Sequence, residues 1–363
     1  MPYKKNILVC PLDWGLGHAT RCVPVIRKLI DFGANVIIGA DGRSLAFLRK
    51  EFPELQFIKI PGYDIRYPEN GSMMIKMLFS IPRILLKIKK EHKVVEKIIK
   101  EYHIDIVISD NRYGLWSKST KCIFITHQIS IQVPKSLRMF KTRLFKINKH
   151  FIDKFSECWM PDLKGGLNLS GQLSDNYSLF NNVFFVGLLS RFDNNSNIII
   201  NNENIIYDLL FIISGPEPQR TVFEDLVVEQ IKNANSLKIL IVRGITESDE
   251  VKHISENISM VNNMGTEELR KTIQSSSLII SRPGYSSIMD MVTLGKNAVF
   301  VPTPGQTEQI YLAYHLKKKG AFYFVSQKKI NISLAIDNSK YYHGIINKII
   351  TDPLEERIKL LLS

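Results

Sequence analysis

Short apolar runs alternate with longer stretches of helical periodicity along the first half of the chain. The first apolar run, at residues 6–11, is followed by a stretch at residues 19–32 in which apolar positions recur every three or four residues. A long helix with an interruption at Pro82 is predicted for residues 73–102. Strands that alternate with helices in this way predict a parallel, doubly wound sheet. The other predicted strands of this half span residues 35–38, 56–60, 104–108 and 121–126.

A second series of the same kind begins at residue 209. Its predicted strands span residues 209–213, 238–242, 259–261, 278–280, 298–301 and 322–325. Between the two series, the asparagine-rich run at residues 191–204 has little material for a core, which is typical of a linker. We therefore predict an α/β protein with two Rossmann-like domains at residues 1–190 and 208–363, joined by a linker at residues 191–207. The prediction includes the possibility that the last helix packs against the first domain.

Composition narrows the class of protein. With 363 residues, 45% of them hydrophobic and 23% charged, the chain has enough apolar material for two cores, which excludes a disordered chain. The apolar run before Asp13 is too short for a signal peptide, and no uncharged apolar stretch of about 20 residues predicts a transmembrane helix. The four cysteines lack the spacing of metal ligands, so we expect free buried thiols and a cytoplasmic protein.

The formal net charge of +13 is concentrated in one part of the chain. Residues 71–154 contain 18 lysines and arginines against 6 acidic residues, a net charge of +12. Within this part, residues 73–79, 84–90 and 137–146 mix large apolar side chains with basic ones, as interfacial helices do. Two interpretations stay open: peripheral binding to the inner face of an anionic membrane, or core-packed helices with a solvated basic face. No motif of a nucleic-acid reader is present, so no nucleic-acid partner is expected.

A glycine-rich turn, DWGLGH from residue 13, joins the first predicted strand to the first helix. Glycine permits positive φ and a close approach of the backbone to a ligand, and doubly wound sheets bind ligands at this edge. His18 is therefore a candidate general base, with a local capping role as the alternative. If the chain transfers a group between two substrates, Gly15 and Gly17 are candidates for binding the donor substrate. Asp13 and Trp14 are candidates for contacting the acceptor substrate.

Two more polar side chains follow predicted strands. Asp110 ends the strand near residue 108, where its carboxylate can accept the second ring N–H of a histidine base and stabilise the imidazolium. The alternative is that Asp110 only caps the following turn. His127 ends the next strand and is a further acceptor-side candidate.

Two segments of the second half carry the most specific signal. A strand–turn–helix reads SRPGYSSIMD from residue 281, and the loop after the next strand reads FVPTPGQTEQ from residue 300. Backbone N–H groups at Gly284, Tyr285 and Ser286 can bind an anion, because a helix start leaves donors unpaired and carries positive dipole charge. Asp290, further into that helix, can accept two ribose hydroxyls. In this order, the two segments resemble the C-terminal nucleotide-sugar half of glycosyltransferase family 28, which includes the transferase that forms lipid II from a UDP-sugar.

The resemblance implies the GT-B fold, in which two Rossmann-like domains face a cleft. It places Asp290 where the family has a ribose-binding glutamate. Gln309 matches the first of two paired glutamines that bind hydroxyls of the donor sugar, while Ile310 replaces the second and Glu308 adds an acceptor for hydroxyls. The loss of one amide implies that the sugar need not be N-acetylglucosamine.

The first loop of the C-terminal domain resembles the family's diphosphate loop less closely. Prolines at positions 216 and 218 remove two N–H donors, so phosphate binding would rely on Ser214, Gly215 and an arginine. Arg220 and Arg243 are candidates for that arginine, and a solvated surface charge is the alternative for each. Met264 falls in the segment where related enzymes clamp the uracil ring.

These observations predict an inverting glycosyltransferase that uses a nucleotide-sugar donor, expected to be UDP-linked, and the hydroxyl of a sugar or lipid-linked acceptor. His18 would remove the acceptor proton and Asp110 would orient it. No DxD motif lies at a matching strand end, so neither a metal nor another cofactor is expected, and helix N-termini and arginine replace the cation. Two alternative functions stay open. One is a non-catalytic binding module. The other is a nucleotide-sugar hydrolase of nonulosonic acid synthesis, because residues 15–21 resemble the GxGHxxR motif of such enzymes.

Overall fold

The computed structural model describes residues 4–63, 73–133, 135–165, 168–192, 205–215, 217–232, 234, 236–245, 248–345 and 352–363, without the side chains of residues 73–81 and 135–137. Contacts divide them into two compact units. The first unit extends to Leu189 and includes the C-terminal helix, and the second begins at Ser190. Residues 193–204 of the predicted linker lie outside the described residues, so the boundaries at 190 and 208 stay predictions.

The first unit contains a seven-stranded parallel sheet. Its strands are β1 (Asn6–Pro11), β2 (Asn35–Ala40), β3 (Gln56–Lys59), β4 (Ile106–Asp110), β5 (Lys121–Ile125), β6 (Glu157–Met160) and β7 (Val183–Phe185). They follow the order β3-β2-β1-β4-β5-β6-β7, so the direction of winding reverses between β1 and β4. Ligands bind at such a switch point in doubly wound sheets. Pro11 lies opposite Asp110 in the register, which brings the turn after β1 beside that carboxylate.

The second unit repeats this architecture. Its strands are β8 (Tyr207–Ile212), β9 (Ile239–Val242), β10 (Val251–Ser255), β11 (Ile258–Val261), β12 (Ser276–Ser281), β13 (Ala298–Phe300) and β14 (Tyr323–Phe324). The order is β10-β11-β9-β8-β12-β13-β14, and β10 pairs antiparallel with β11. The switch point therefore lies between β8 and β12.

Helices connect these strands. They are α1 (Gly17–Asp31), α2 (Gly42–Glu51), α3 (Met73–Glu101), α4 (Lys141–Ile152), α5 (Gln219–Ile231), α6 (Thr266–Gln274), α7 (Tyr285–Thr293), α8 (Thr307–Lys318), α9 (Ile332–Ser339) and α10 (Pro353–Leu362). The predicted fold class, two doubly wound parallel sheets of an α/β protein, is confirmed. None of the helices in the described part of the chain is long and apolar enough to cross a bilayer.

Helices on both faces bury the central strands of each sheet. On β1, Ile7, Leu8 and Val9 have no exposed surface, although successive side chains point to opposite faces. A strand covered on both sides must be apolar at every position, so it is recognisable in the sequence as a continuous apolar run. All four cysteines are free and buried, as predicted.

The structure corrects several predicted elements. The interruption predicted at Pro82 is wrong, because α3 continues through this residue. Proline loses one backbone hydrogen bond but keeps a φ compatible with a helix, and the long flanking helix tolerates that loss. Three strands were not predicted. β6 and β7 are only four and three residues long, and β10 is an edge strand whose first three residues are exposed.

Helix α10 is attached to the first unit by charged side chains. Lys28 Nζ on α1 lies 2.7 Å from a carboxylate oxygen of Asp352, which caps α10. Arg357 Nε donates to Glu157 at 2.9 Å, and its guanidinium lies 3.5 Å from the ring centroid of Phe184. The cation–π contact and the ion pairs join α10 to α1 and to the β6–β7 side of the sheet.

A buried charged cluster joins α3 to the same sheet. Glu91 accepts hydrogen bonds from Arg112 Nε and from the hydroxyl of Tyr63, both at 2.6 Å, and from the N–H of Gly114 at 2.8 Å. Arg112 also donates to two backbone carbonyls that follow β3. These hydrogen bonds offset the cost of removing two charges from water.

Glu91→Ala should lower the free energy of unfolding by about 3–5 kcal/mol, because it leaves the guanidinium of Arg112 buried without a counterion. Urea denaturation followed by tryptophan fluorescence measures this in the first unit, where all three tryptophans lie. Glu101→Ala, at an exposed position of the same helix, is the control and should change stability by less than about 0.5 kcal/mol. Equal midpoints for both variants would contradict a stabilising role for the cluster.

Candidate active site

The turn after β1 positions His18 at the carboxyl edge of the first sheet. Gly15 has φ +75°, a left-handed conformation that favours glycine, whereas no atom lies within 4 Å of where its Cβ would be. Conformation, and not lack of space, therefore accounts for this glycine. Helix α1 begins at Gly17, which places the His18 imidazole in the first turn of the helix.

A buried ion pair lies next to this imidazole. The guanidinium of Arg21 donates through Nε and Nη2 to the two carboxylate oxygens of Asp110, and both side chains are almost completely buried. His18 Nδ1 lies 3.0 Å from Asp110 Oδ1 and 2.8 Å from Arg21 Nη2. His127 Nδ1 lies 3.0 Å from Arg21 Nη1. The structure thus brings three predicted residues together around an arginine that the sequence analysis did not select.

A signal for Arg21 was present in the sequence. Residues three apart in a helix share a face, so His18 and Arg21 lie side by side on α1. The arginine also completes the GxGHxxR pattern quoted above. What the pattern cannot give is the partner of Arg21, because Asp110 lies 89 positions away and meets it only through the pairing of β1 with β4.

The electrostatics of this group favour a neutral imidazole beside an ionised carboxylate. Burial disfavours the Asp110 carboxylate, but the charges and hydrogen bonds of Arg21 and His18 outweigh burial and lower its pKa from 3.8 to about 2. For His18, burial and then the Arg21 cation lower the pKa below its ordinary value, and Asp110 opposes them only in part. A neutral imidazole at neutral pH is the state that a general base requires.

The two acceptor-side candidates of the turn pack against neighbouring segments. Asp13 is half-buried, with Oδ1 3.4 Å from the N–H of Ser44 near the start of α2. Gly42 makes room for this carboxylate, because a Cβ there would lie 2.3 Å from Asp13 Oδ2. Burial raises the pKa of Asp13, and the nearby charge of Asp41 adds to the rise. Trp14 packs against the small apolar cluster that surrounds Leu12.

In the second unit, the predicted anion site is the start of α7. This helix begins at Tyr285 with Gly284 as its N-cap, and neither a side-chain cap nor an acidic residue occupies its first turn. Ser286 lies in that turn and is half-buried. Because β12 is the neighbour of β8 across the switch point, this turn and the loop at Ser214 and Gly215 follow adjacent strands. The backbone of Gly215 has φ +117°, which a side chain would strain.

The two arginines predicted to bind diphosphate share one carboxylate. Glu224 accepts from Arg220 Nη1 at 2.7 Å and from Arg243 Nη2 and Nε at 2.7 and 2.9 Å. Arg220 also donates to Glu217 at 2.6 Å, and Arg243 to Asn262 at 2.7 Å. The alternative of a solvated surface charge is wrong for Arg220, whose side chain is almost fully buried.

Asp290 already has partners at the start of the second unit. The hydroxyl of Ser190 donates to Asp290 Oδ1 at 2.6 Å, and Arg191 Nε lies 3.9 Å from Oδ2. The carboxylate is buried, and burial raises its pKa despite the nearby arginine. Any ribose bound here would share the carboxylate with Ser190 or displace it.

The other predicted donor-side residues lie in the loop after β11 and at the start of α8. Gln309 Oε1 accepts from the N–H of Thr303 at 2.8 Å, which leaves its NH₂ group as the part able to donate to a sugar hydroxyl. Glu308 precedes it in the first turn of α8 and is half-buried. Met264 is buried, and its sulfur lies 3.7 Å from the hydroxyl of Thr272.

Sequence analysis also missed Arg282, which organises the loops around this edge. Its guanidinium donates to the carbonyl of Val301 at 2.9 Å and to the side chain of Gln327 at 2.7 Å, and it lies 4.0 Å from the ring centroid of Phe223. These partners belong to different loops and helices, so Arg282 fixes the backbone next to Gly284. Its position directly after the buried strand β12 is the feature of the sequence that could have identified Arg282 as a candidate.

Two domain families match the chain. Residues 210–339 match the glycosyltransferase family 28 C-terminal domain, and residues 6–133 match glycosyl transferase family 1. An uncharacterized glycosyltransferase of Methanosarcina mazei is 22% identical over 338 residues, which cover 87% of this chain and 84% of the relative.

Solved structures share the fold. The crystal structure of MurG from Acinetobacter baumannii is similar over 99% of both chains, with a TM-score of 0.55 at 14% identity. The spinosyn rhamnosyltransferase SpnG in complex with thymidine diphosphate is similar over 98% of this chain and 95% of that one, with a TM-score of 0.60 at 13% identity.

Proposed function

The chain is a glycosyltransferase with the GT-B fold, and from this premise we propose that it transfers a sugar from a nucleotide donor to an acceptor hydroxyl with inversion. The observation that carries the proposal is the position of the His18 imidazole, which is partly buried at the switch point of the first sheet with Nδ1 3.0 Å from Asp110 Oδ1. A neutral imidazole whose second nitrogen is held by a carboxylate is the arrangement that activates a hydroxyl nucleophile.

In the proposed reaction, the acceptor oxygen forms a bond to the anomeric carbon while the bond from that carbon to the diphosphate breaks. The electron pair of the broken bond leaves with the diphosphate. The proton of the acceptor hydroxyl moves to Nε2 of His18, and Asp110 stabilises the imidazolium through the Nδ1–H. A single displacement of this kind inverts the anomeric configuration.

The donor side is proposed to use backbone and arginine groups in place of a metal. The uncapped start of α7 offers N–H donors and positive dipole charge to a diphosphate. Arg220 and Arg243 lie near the ends of β8 and β9, although Glu224 already compensates part of their charge. The complex of SpnG with thymidine diphosphate supports a nucleoside diphosphate as leaving group, and the family 28 resemblance makes UDP our choice.

A second candidate is a nucleotide-sugar hydrolase. It is favoured by Arg21, which completes the GxGHxxR pattern and contacts His18 directly. In that reaction His18 would remove a proton from water instead of a sugar hydroxyl. Mass analysis of products separates the two: a hydrolase consumes donor at full rate without acceptor, whereas a transferase needs the acceptor and yields a glycosylated product.

We propose a lipid-linked acceptor reached from the inner face of an anionic membrane. Leu86 on α3 and Met139 before α4 are 61% and 80% exposed, and they accompany exposed basic residues such as Lys89 and Lys90. Apolar side chains among lysines are what an interfacial surface requires. The side chains of residues 73–79, part of the predicted interfacial segment, lie outside the described residues.

His18→Ala should lower kcat by about 10²–10⁴-fold and leave the affinity for UDP nearly unchanged, because general base catalysis contributes about this factor. Turnover of a donor panel, with calorimetry of UDP binding, measures both quantities. His92→Ala is the control, because it removes a histidine that stacks on Trp116 and is not one of the predicted site residues. A folded His18→Ala enzyme with wild-type turnover would exclude His18 as the base. Full activity in excess chelator is expected from a metal-independent enzyme.

Asp290→Ala should weaken UDP binding about 10- to 150-fold, because the loss of a hydrogen bond to a charged group costs roughly 1.5–3 kcal/mol. Ser190→Ala is the matched control, since it removes the present partner of the carboxylate but keeps the carboxylate itself. The control should bind UDP at least as tightly as the wild type. Unchanged affinity in Asp290→Ala would show that the ribose does not use this residue.

Vesicle co-sedimentation tests the membrane proposal. Binding should require anionic lipid, weaken as salt shortens the Debye length, and fall when Arg83, Lys89 and Lys90 become Glu. Lys87 is left unchanged because it donates to the carbonyl of Tyr63.

The matched control changes Lys252, Lys328 and Lys329, exposed lysines of the second unit, to Glu. It alters the net charge by the same amount and should keep binding. Equal recovery with neutral and anionic vesicles, or none with either, would point to a solvated basic face and a soluble acceptor.

A further inference from the structure

The contacts of Arg21 determine where protons sit on His127. A guanidinium has only N–H donors and no acceptor, so the 3.0 Å contact between Arg21 Nη1 and His127 Nδ1 requires a lone pair on Nδ1. A neutral imidazole with a lone pair on Nδ1 carries its proton on Nε2. His127 is therefore held as an Nε2–H donor, and protonation of its Nδ1 would place two donors against each other.

The same arginine competes with Asp110 for His18. His18 Nδ1 faces an acceptor, Asp110 Oδ1, at 3.0 Å and a donor, Arg21 Nη2, at 2.8 Å, and one ring nitrogen cannot satisfy both. A proton on Nδ1 satisfies the carboxylate and leaves the lone pair on Nε2, as a base needs. A lone pair on Nδ1 satisfies the arginine and puts the proton on Nε2, which removes the base.

The ion pair between Arg21 and Asp110 decides how this competition resolves. Arg21 uses two donors, Nε and Nη2, on the carboxylate, so Asp110 stays ionised and remains an acceptor for the His18 Nδ1–H. The same pairing weakens the field with which Asp110 would hold an imidazolium. His18 is thus oriented by a carboxylate whose charge is largely balanced.

We propose that Arg21 is a positioning residue, which fixes the Nε2–H tautomer of His127 and keeps His18 neutral by balancing the charge of Asp110. The part that concerns His18 rests on the proposed function, whereas the tautomer of His127 does not. The two imidazoles are then held in opposite tautomers: His18 has its lone pair on Nε2, and His127 has its proton there.

The charged and titratable groups that face this cluster come from the elements packed around it. From α1 they are Arg21 and Cys22, whose Sγ lies 3.8 Å from Asp110 Oδ2. Cys10 on β1 is also buried nearby, and burial raises the pKa of both thiols, so they stay uncharged. Arg21 and Asp110 therefore carry the fixed charges that act on His18.

Nuclear magnetic resonance of the full chain with ¹⁵N-labelled histidine tests the proposal without any substrate. In the wild type, His127 should show the Nε2–H tautomer, and His18 should protonate below its ordinary pKa of about 6.5. Arg21→Lys keeps a positive charge but lacks the planar fork, so the single tautomer of His127 should be lost.

Arg21→Met should raise the midpoint of His18 protonation by about one pH unit or more, because a cation that opposes protonation is removed and Asp110 is released. The acid limb of kcat/KM should move to higher pH with it. If Arg21→Met does not fold, Arg21→Met combined with Asp110→Asn removes both buried charges together. In that double variant the fixed tautomer of His127 should also be lost.

A merely structural arginine gives a different result. Its variants would lower stability and total turnover while the His127 tautomer and the His18 midpoint stay as in the wild type, and this outcome would overturn the proposal. Failure of the proposed function is a separate result. If the tautomer is lost in Arg21→Lys but His18→Ala keeps full turnover, the positioning of His127 stands and the catalytic role of His18 falls.

Discussion

Helices cover both faces of the central strands in the two sheets, and this constraint decides where polar chemistry can lie. A residue such as Val9 or Phe211, in the middle of a strand, has no access to solvent and must be apolar. Polar side chains are therefore confined to the strand ends and the turns beyond them. In parallel sheets these ends share one edge, so Asp110, which ends β4, is next to the turn after β1 that carries His18. The chemistry of each unit follows from the way its strands are buried.

Charges that lie so close to a buried sheet need partners, and arginine supplies them repeatedly. Arg21 pairs with Asp110, Arg112 with Glu91, and both Arg220 and Arg243 with Glu224. The planar guanidinium suits this role better than an ammonium group, because it can donate to two carboxylate oxygens and still reach a third partner. The pair with Arg21 keeps the Asp110 carboxylate ionised, although burial alone would raise its pKa. Removal of one partner leaves the other charge buried and unpaired, which is strongly destabilising.

Most of the fold could be predicted from the sequence because central parallel strands are continuous apolar runs. The proximity of His18 and Asp110 could be predicted as well, since both follow strands that end at the same edge. Edge strand β10 could not be predicted, because its first residues are solvated and do not form a continuous apolar run. Contacts between side chains that are distant in the sequence could not be predicted either. The pairing of Arg21 with Asp110 and of Ser190 with Asp290 depends on register and on the path of the chain, which no local pattern encodes.

Helix α10 belongs to the first unit although the whole second unit precedes it in the sequence. A ribosome therefore completes the second unit while the first still lacks the helix that Lys28 and Glu157 bind. Until α10 emerges, the ring of Phe184 lacks the guanidinium of Arg357, and Glu157 lacks one of its cations. Domains of most chains fold in the order of their synthesis, from the N-terminus onward. Here the N-terminal unit is finished second, so a chain whose synthesis stops after residue 348 contains the complete sequence of the C-terminal unit but not that of the N-terminal unit.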